Sequence, residues 1–134
     1  MCEYEFSVRV RYSETDVMGY VHHSNYARYY ETARWELFRK LGVPYKHIED
    51  EGYMLPVVSM NFKFIKAAVY DELLVIKTKI KCVNSPRITF SYRMYNEQHE
   101  IINKAEVNLA FVDKKTRTIC TIPFFVKDAI ANAV

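Results

Sequence analysis

Between Arg11 and Tyr26 the chain crowds two carboxylates, two imidazoles, several hydroxyls and a glycine into one short stretch. Asp16 leads the set. It follows a strand-patterned run and stands shortly before Gly19, in a segment that leads into a helix start. A carboxylate so placed can act as a base or a nucleophile, and it can equally accept the backbone N–H groups of its own turn. His22 and His23 could orient a substrate or move a proton, or one could be exposed while the other caps or packs. Adjacent side chains on extended backbone point to opposite sides, so at most one imidazole is expected to share a site with Asp16. Free N–H groups at the helix start carry partial positive charge. One such donor aimed at an oxyanion is worth about 3 kcal/mol in acyl transfer, unless Ser24 or Asn25 caps the same groups. Glu14, Asp16, His22 and His23 lack the helical His spacing of zinc hydrolases, so neither metal nor cofactor is expected. The chain has no Gly-x-Ser-x-Gly elbow, no cysteine beside a histidine and no glycine-rich phosphate loop.

Two elements must hold this stretch. Phe6, Val8, Val10 and Tyr12 alternate with Ser7, Arg9 and Arg11, which predicts a half-buried strand over 6–12 with Tyr12 on its core face. Tyr26, Tyr30, Ala33, Leu37 and Leu41 recur every three to four residues, which predicts a helix over 24–41 capped by Ser24 or Asn25 and stopped by Gly42 and Pro44. A short helix over 44–51 follows. Strand-like runs then cover 55–65, 72–83, 87–95 and 101–112, separated in part by turn signals at 84–86 and 96–100. A short strand at 120–122 and a helical turn or two over 124–131 complete the chain. The order predicts an α+β fold, with an antiparallel meander of four long strands curling around one helix. An open sheet leaves edges, and pairing with a second subunit is a common way to cover one.

The 134 residues suit a single domain, 1–134. Half of them are hydrophobic and 15% aromatic, against three glycines and four prolines, so the chain can pack a core and has little linker material. A net charge of +3 without a Lys/Arg run makes nucleic acid an unexpected partner. Cys2, Cys82 and Cys120 are odd in number and widely spaced, which fits a reducing cytoplasm better than a disulfide framework. The acidic start with no long apolar run after it predicts neither a signal peptide nor a membrane span.

The stretch Arg11-Tyr12-Ser13-Glu14-Thr15-Asp16-Val17-Met18-Gly19-Tyr20-Val21-His22-His23-Ser24-Asn25-Tyr26 resembles the signature of hotdog-fold acyl-CoA thioesterases of the 4-hydroxybenzoyl-CoA thioesterase class. It is similar in particular to the branch containing the Tol-Pal-associated acyl-CoA thioesterases. The spacing that carries the likeness is Asp-x-x-Gly-x-Val-x-His-x-x-Tyr, Asp16 to Tyr26, and it extends through 30–34, 70–74 and the later strands. The resemblance implies that Asp16 is the catalytic carboxylate, attacking the thioester or activating water. It implies that the His23 backbone N–H polarises the carbonyl, and that Tyr12, Gly19 and Tyr26 belong to the substrate site. It further implies an active site between two subunits, as a homodimer or a homotetramer built from two dimers. Two departures stand out: Glu14 replaces a first Asp, and Met18 replaces a small residue.

The expected activity is hydrolysis of an acyl-CoA or acyl carrier protein thioester to free acid and thiol. The rivals are a non-catalytic acyl-CoA-binding module on the same scaffold and a hotdog enoyl-CoA hydratase or dehydratase. Met18, Tyr20, Tyr26, Met54 and Met60 could line an aromatic or an aliphatic acyl pocket, or simply pack the core. Lys63, Lys66, Arg87 and Arg93 could meet CoA phosphates, or form an ordinary solvated face.

Overall fold

The computed structural model describes residues 3–133, so Cys2 lies outside the described residues. In chain order the elements are β1 (Glu3–Arg9), a 3-10 turn (Tyr12–Glu14), α1 (Ser24–Lys40), α2 (Tyr45–Asp50), β2 (Tyr53–Met54), β3 (Val57–Phe64), β4 (Leu73–Asn84), β5 (Arg87–Tyr95), β6 (Ile101–Ala110), β7 (Val112–Asp113) and α3 (Phe124–Asn132). Five strands form one antiparallel sheet in the order β1-β4-β5-β6-β3, and β2 and β7 pair separately. This is the expected α+β architecture of a long helix on an antiparallel sheet.

The strand order corrects the expected meander. Only β4, β5 and β6 follow one another; β3 lies at the far edge beside β6, and β1 takes the free side of β4. The cause is the connection 65–72, which does not turn back as a hairpin but runs to the start of α1. There the Val21 N–H donates to Ala68 O (2.9 Å), the Tyr70 N–H to Gly19 O (3.3 Å) and the Asp71 N–H to Val10 O (3.1 Å). A segment whose backbone groups are spent this way cannot place β4 next to β3. β1 also ends sooner than the alternation suggests. The chain leaves the sheet after Arg9, and in the 3-10 turn Tyr12 is 77% exposed rather than on a core face. The expected strand at 120–122 does not form; an isolated bridge between Val112 and Ile119 lies just before it.

The helix buries the stripe predicted for it. Tyr26, Tyr29, Tyr30, Ala33, Leu37 and Phe38 face Leu74, Ile76, Phe90, Tyr92, Met94 and Val107 of the sheet. Its aromatics interlock with those of the strands: Tyr30 lies 4.5 Å from Tyr92 and Phe38 lies 5.6 Å from Phe90, centroid to centroid. Polar groups are threaded through this core. Tyr30 Oη donates to Asn103 Oδ1 (2.7 Å), and Arg34, only 4% exposed, donates from Nη1 to Tyr92 Oη (3.0 Å) while its Nε has no partner among the described residues. Burial raises the Tyr92 hydroxyl pKa, with the Arg34 guanidinium pulling the other way.

α1 lies mainly over β1 and β4, so Met60 and Phe64 of β3 are exposed on an edge whose other side pairs with β6. On the outer face of the sheet the register sets Lys63 opposite Lys104, Lys104 opposite Arg93, and Arg93 opposite Lys77. Glu3 and Glu5 of β1 answer Arg93 (2.6 Å) and Lys77 (3.8 Å). Among the described residues Lys63 and Lys104 have no acidic partner. Cys82 and Cys120 are free thiols. No helix among the described residues is long and apolar enough to cross a membrane.

Tyr92 is the hydrogen-bond partner of the buried Arg34. Tyr92→Phe is predicted to cost about 1–3 kcal/mol by stranding a buried donor, read as a thermal midpoint lower by several degrees. Adding Arg34→Met should recover most of the loss. An unchanged midpoint in the single variant would show that the bond contributes nothing.

Candidate active site

The loop carrying Asp16 is closed at its base by a bridge between Thr15 and Val21. At its tip the Gly19 N–H donates to Asp16 O (3.0 Å) and the Asp16 N–H to Tyr20 O (2.8 Å). Gly19 sits at φ +81°, the left-handed region that an L side chain enters only at a cost. The Asp16 side chain turns back on this tip. Its Oδ1 accepts the N–H of Met18 (2.9 Å) and of Tyr20 (3.2 Å), while Oδ2 has no partner among the described residues. The turn-building reading of Asp16 therefore applies to one oxygen, and the other points away from the turn's donors without a partner among the described residues.

The far side of the loop is the start of α1, and it corrects two expectations. Neither Ser24 nor Asn25 caps the helix; His23 occupies the N-cap position without a side-chain hydrogen bond of its own. His22 takes over that task. Its Nδ1 lies 2.8 Å from Ser24 Oγ and accepts the Ser24 N–H (3.3 Å), and its carbonyl accepts the Asn25 N–H (2.9 Å). The two imidazoles also do not point apart. His23 is already helical at φ −54° and ψ −29°, so the rings lie together at 4.2 Å, both exposed. The His23 N–H is left without an acceptor among the described residues. It is a donor at the positive end of a helix that runs to Lys40.

Glu14 ties the two sides together. Its Oε1 accepts the Arg11 N–H (2.8 Å) and the Tyr29 hydroxyl (2.8 Å), and its carbonyl accepts the His22 N–H (2.9 Å) and Asn25 Nδ2 (2.9 Å). Burial, and then the adjoining Glu14 carboxylate, push the Tyr29 hydroxyl pKa far up, so Tyr29 stays a neutral donor. In the sequence Glu14 stood out only within a set lacking metal-ligand spacing and as a departure from the family pattern. The available signal was Asn25 and Tyr29, two hydrogen-bonding side chains four apart on a buried helix face.

The other expected site residues are divided. Tyr12 is exposed beside the loop, its ring edge-on to Tyr70 at 5.5 Å. Tyr26 is buried, and its hydroxyl accepts the Ala68 N–H (3.1 Å) while its ring meets Phe64 at 5.5 Å. Met18 and Tyr20 stand exposed on the loop, Met60 on β3, and Met54 is half-buried in β2. Of the strand cations, Lys66 pairs with Glu100 (2.9 Å) and Arg93 with Glu3 (2.6 Å). Among the described residues no cluster of His, Cys, Asp and Glu could hold a metal ion.

Asp16 Oδ2 on the closed loop and the His23 N–H at the start of α1 are each without a partner among the described residues. Residues 10–130 match the model of the thioesterase-like superfamily. The chain belongs to that superfamily. Within it, the acyl-CoA thioester hydrolase YbgC of Escherichia coli is 31% identical over 110 residues, covering 82% of each chain. YneP of Bacillus subtilis is 37% identical over 109 residues, covering 81% of this chain and 79% of its own. The crystal structure of a DHNA-CoA thioesterase from Staphylococcus aureus superposes with a TM-score of 0.92 at 28% identity, covering 98% of this chain and 91% of the other. The five-stranded sheet and its long helix are thus the hotdog fold of thioesterase-like proteins.

A Cβ at Gly19 would meet nothing within 4 Å, so substitution there tests backbone strain alone. Gly19→Ala is predicted to cost about 1–2 kcal/mol, and Gly19→Asn less, since Asn tolerates the left-handed region. Thermal denaturation of both variants measures this; equal midpoints for Ala and wild type would mean that the turn is not held in that conformation.

Proposed function

We propose that the protein is an acyl-CoA thioesterase in which Asp16 supplies the reacting carboxylate and the His23 N–H holds the oxyanion. The observation that carries this reading is the division of labour within Asp16: two amides fix Oδ1, so Oδ2 has a set direction and no competing partner. Either Oδ2 attacks the thioester carbonyl carbon, or it takes a proton from a water that attacks in its place. In both routes the carbonyl oxygen gains negative charge as the tetrahedral intermediate forms. A preorganised N–H at a helix start stabilises that charge without reorganising, worth about 3 kcal/mol. The C–S bond then breaks, CoA leaves as the thiolate and takes up a proton, and the acyl group ends as the free acid, after hydrolysis of an anhydride if Asp16 was the nucleophile. No metal or cofactor is needed for any step. An acyl carrier protein thioester offers the same reacting bond, and the free thiols suit a reducing cytoplasm.

The working unit in this proposal is a homodimer, with tetramers formed from two of them. β3 presents unpaired backbone groups along one edge and exposes Val57, Val58, Met60 and Phe64. Tyr12, Val17, Met18, Tyr20, Ile65, Val69 and Tyr70 continue the apolar surface around the Asp16 loop. Antiparallel pairing of two β3 edges would satisfy the first and cover much of the second, and would put each loop beside the partner.

Thiol release from a panel of short, long and aromatic acyl-CoA thioesters is the test of activity. Asp16→Asn, which keeps an acceptor at Oδ1, is predicted to lower kcat by roughly 10²–10⁴-fold with little change in thermal midpoint. Single turnover in ¹⁸O-labelled water separates the routes, because only a nucleophilic Asp16 takes label into its own carboxylate. Full activity of Asp16→Asn would sink the assignment, binding without turnover would mark an acyl-binding module, and hydration of enoyl-CoA a hydratase. For the assembly, sedimentation velocity should find a dimer or larger in the wild type and a shift toward monomer in Met60→Asp. A wild type that stays monomeric at every concentration would refute the edge pairing.

A further inference from the structure

We infer that Glu14 is a positioning residue that sets the geometry between the Asp16 carboxylate and the His23 N–H. The inference rests on the thioesterase reading of the same loop and adds to it a residue that touches neither substrate nor reacting atoms. Asp16 and His23 are joined by a segment with no regular secondary structure, so their separation is not inherited from a helix or a strand. The Thr15–Val21 bridge fixes the Asp16 side. On the His23 side Ala68 holds Val21 and Tyr26, and Glu14, which lies before Asp16 in the chain yet binds residues on both sides of the loop, adds the tie between that side and the 3-10 turn.

Its four hydrogen bonds reach the start of the 3-10 turn, the segment before α1, and α1 itself twice. The Arg11 N–H holds the carboxylate over the 3-10 turn, and the Tyr29 hydroxyl draws the same Oε1 onto the second turn of α1. The Glu14 carbonyl takes the N–H of His22, the residue next to the proposed oxyanion donor, and Asn25 Nδ2 from the first turn. The Glu14 side chain is only 13% exposed, while its one cationic neighbour, Arg11, is 80% exposed at 3.7 Å. An ion pair that open contributes little. The carboxylate is held by neutral donors, so what matters is an acceptor of the right length rather than a charge.

This makes the substitutions discriminating. Glu14→Ala removes the link to Tyr29 and Arg11, and kcat should fall by roughly 10²-fold, the scale of about 1 Å of misplacement, with KM unchanged because no substrate contact is lost. Glu14→Gln keeps the length and an acceptor oxygen, and should restore most of kcat. Tyr29→Phe keeps the ring in the core, and should reproduce part of the loss even if Glu14→Ala folds poorly. Amide hydrogen exchange at His22, whose N–H the Glu14 carbonyl accepts, reads in Glu14→Ala whether the side chain holds that carbonyl in place, without any substrate, and should be faster than in the wild type. Unchanged exchange, an unchanged kcat in both Glu14→Ala and Tyr29→Phe, or a Glu14→Gln as slow as Glu14→Ala would each overturn the inference. If exchange accelerates while the wild type cleaves no thioester, the thioesterase reading fails and the inference about its geometry falls with it. If wild type and Asp16→Asn behave as proposed and Glu14→Ala stays fully active, only the role of Glu14 is lost.

Discussion

Two hydrogen bonds at Ala68 govern the rest of this molecule. Its carbonyl accepts the Val21 N–H and its N–H donates to Tyr26 Oη, from a position with no solvent exposure. Through them the connection between β3 and β4 is committed to the helix start. That one commitment sends β3 to the far edge, leaves the neighbouring place beside β4 to β1, and gives the Asp16 loop a fixed wall to fold against. Buried backbone groups must be paired, so the strand order and the shape of the loop are settled by one requirement.

Much of the architecture was legible in the chain because it follows from short-range periodicity. The 3.6-residue recurrence of Tyr26, Tyr30, Ala33 and Leu37 placed α1 within a residue of its true end, and the β-branched runs marked four strands of the main sheet. Strand order was not legible, since periodicity says which face of a strand is buried and nothing about which strand lies beside it. Tyr12 was assigned to the core because alternation was extended through a 3-10 turn that no alternation pattern reveals. The histidine pair was read as extended, although His23 had already taken helical angles.

At the candidate site, Asp16 was legible in the sequence as a candidate, and the groups that hold it were not. Asp16 was singled out by its place between two patterned segments, and its double use as turn-builder and free acceptor became visible only from which oxygen bonds to what. Glu14 and Tyr29 are fifteen residues apart, beyond any local rule. The loop relies on backbone more than on side chains: the proposed oxyanion donor is an amide, the Asp16 oxygen is set by amides, and His22 acts by occupying one. Such groups leave no mark on residue identity.

The cationic row across the outer face has a colloidal consequence. Lys63, Lys104, Arg93 and Lys77 stand in consecutive register, where like charges directly opposite cost stability. Bringing two such faces together would lay one positive stripe on another inside a Debye length of about 10 Å at 0.1 M salt. Glu3 and Glu5 answer two of these cations, and Lys63 and Lys104, without an acidic partner among the described residues, keep their part of the outer face self-repelling. Open-ended face-to-face stacking of sheets is opposed there, whereas pairing along an edge strand, β3 or β1, brings copies together side by side rather than stripe on stripe.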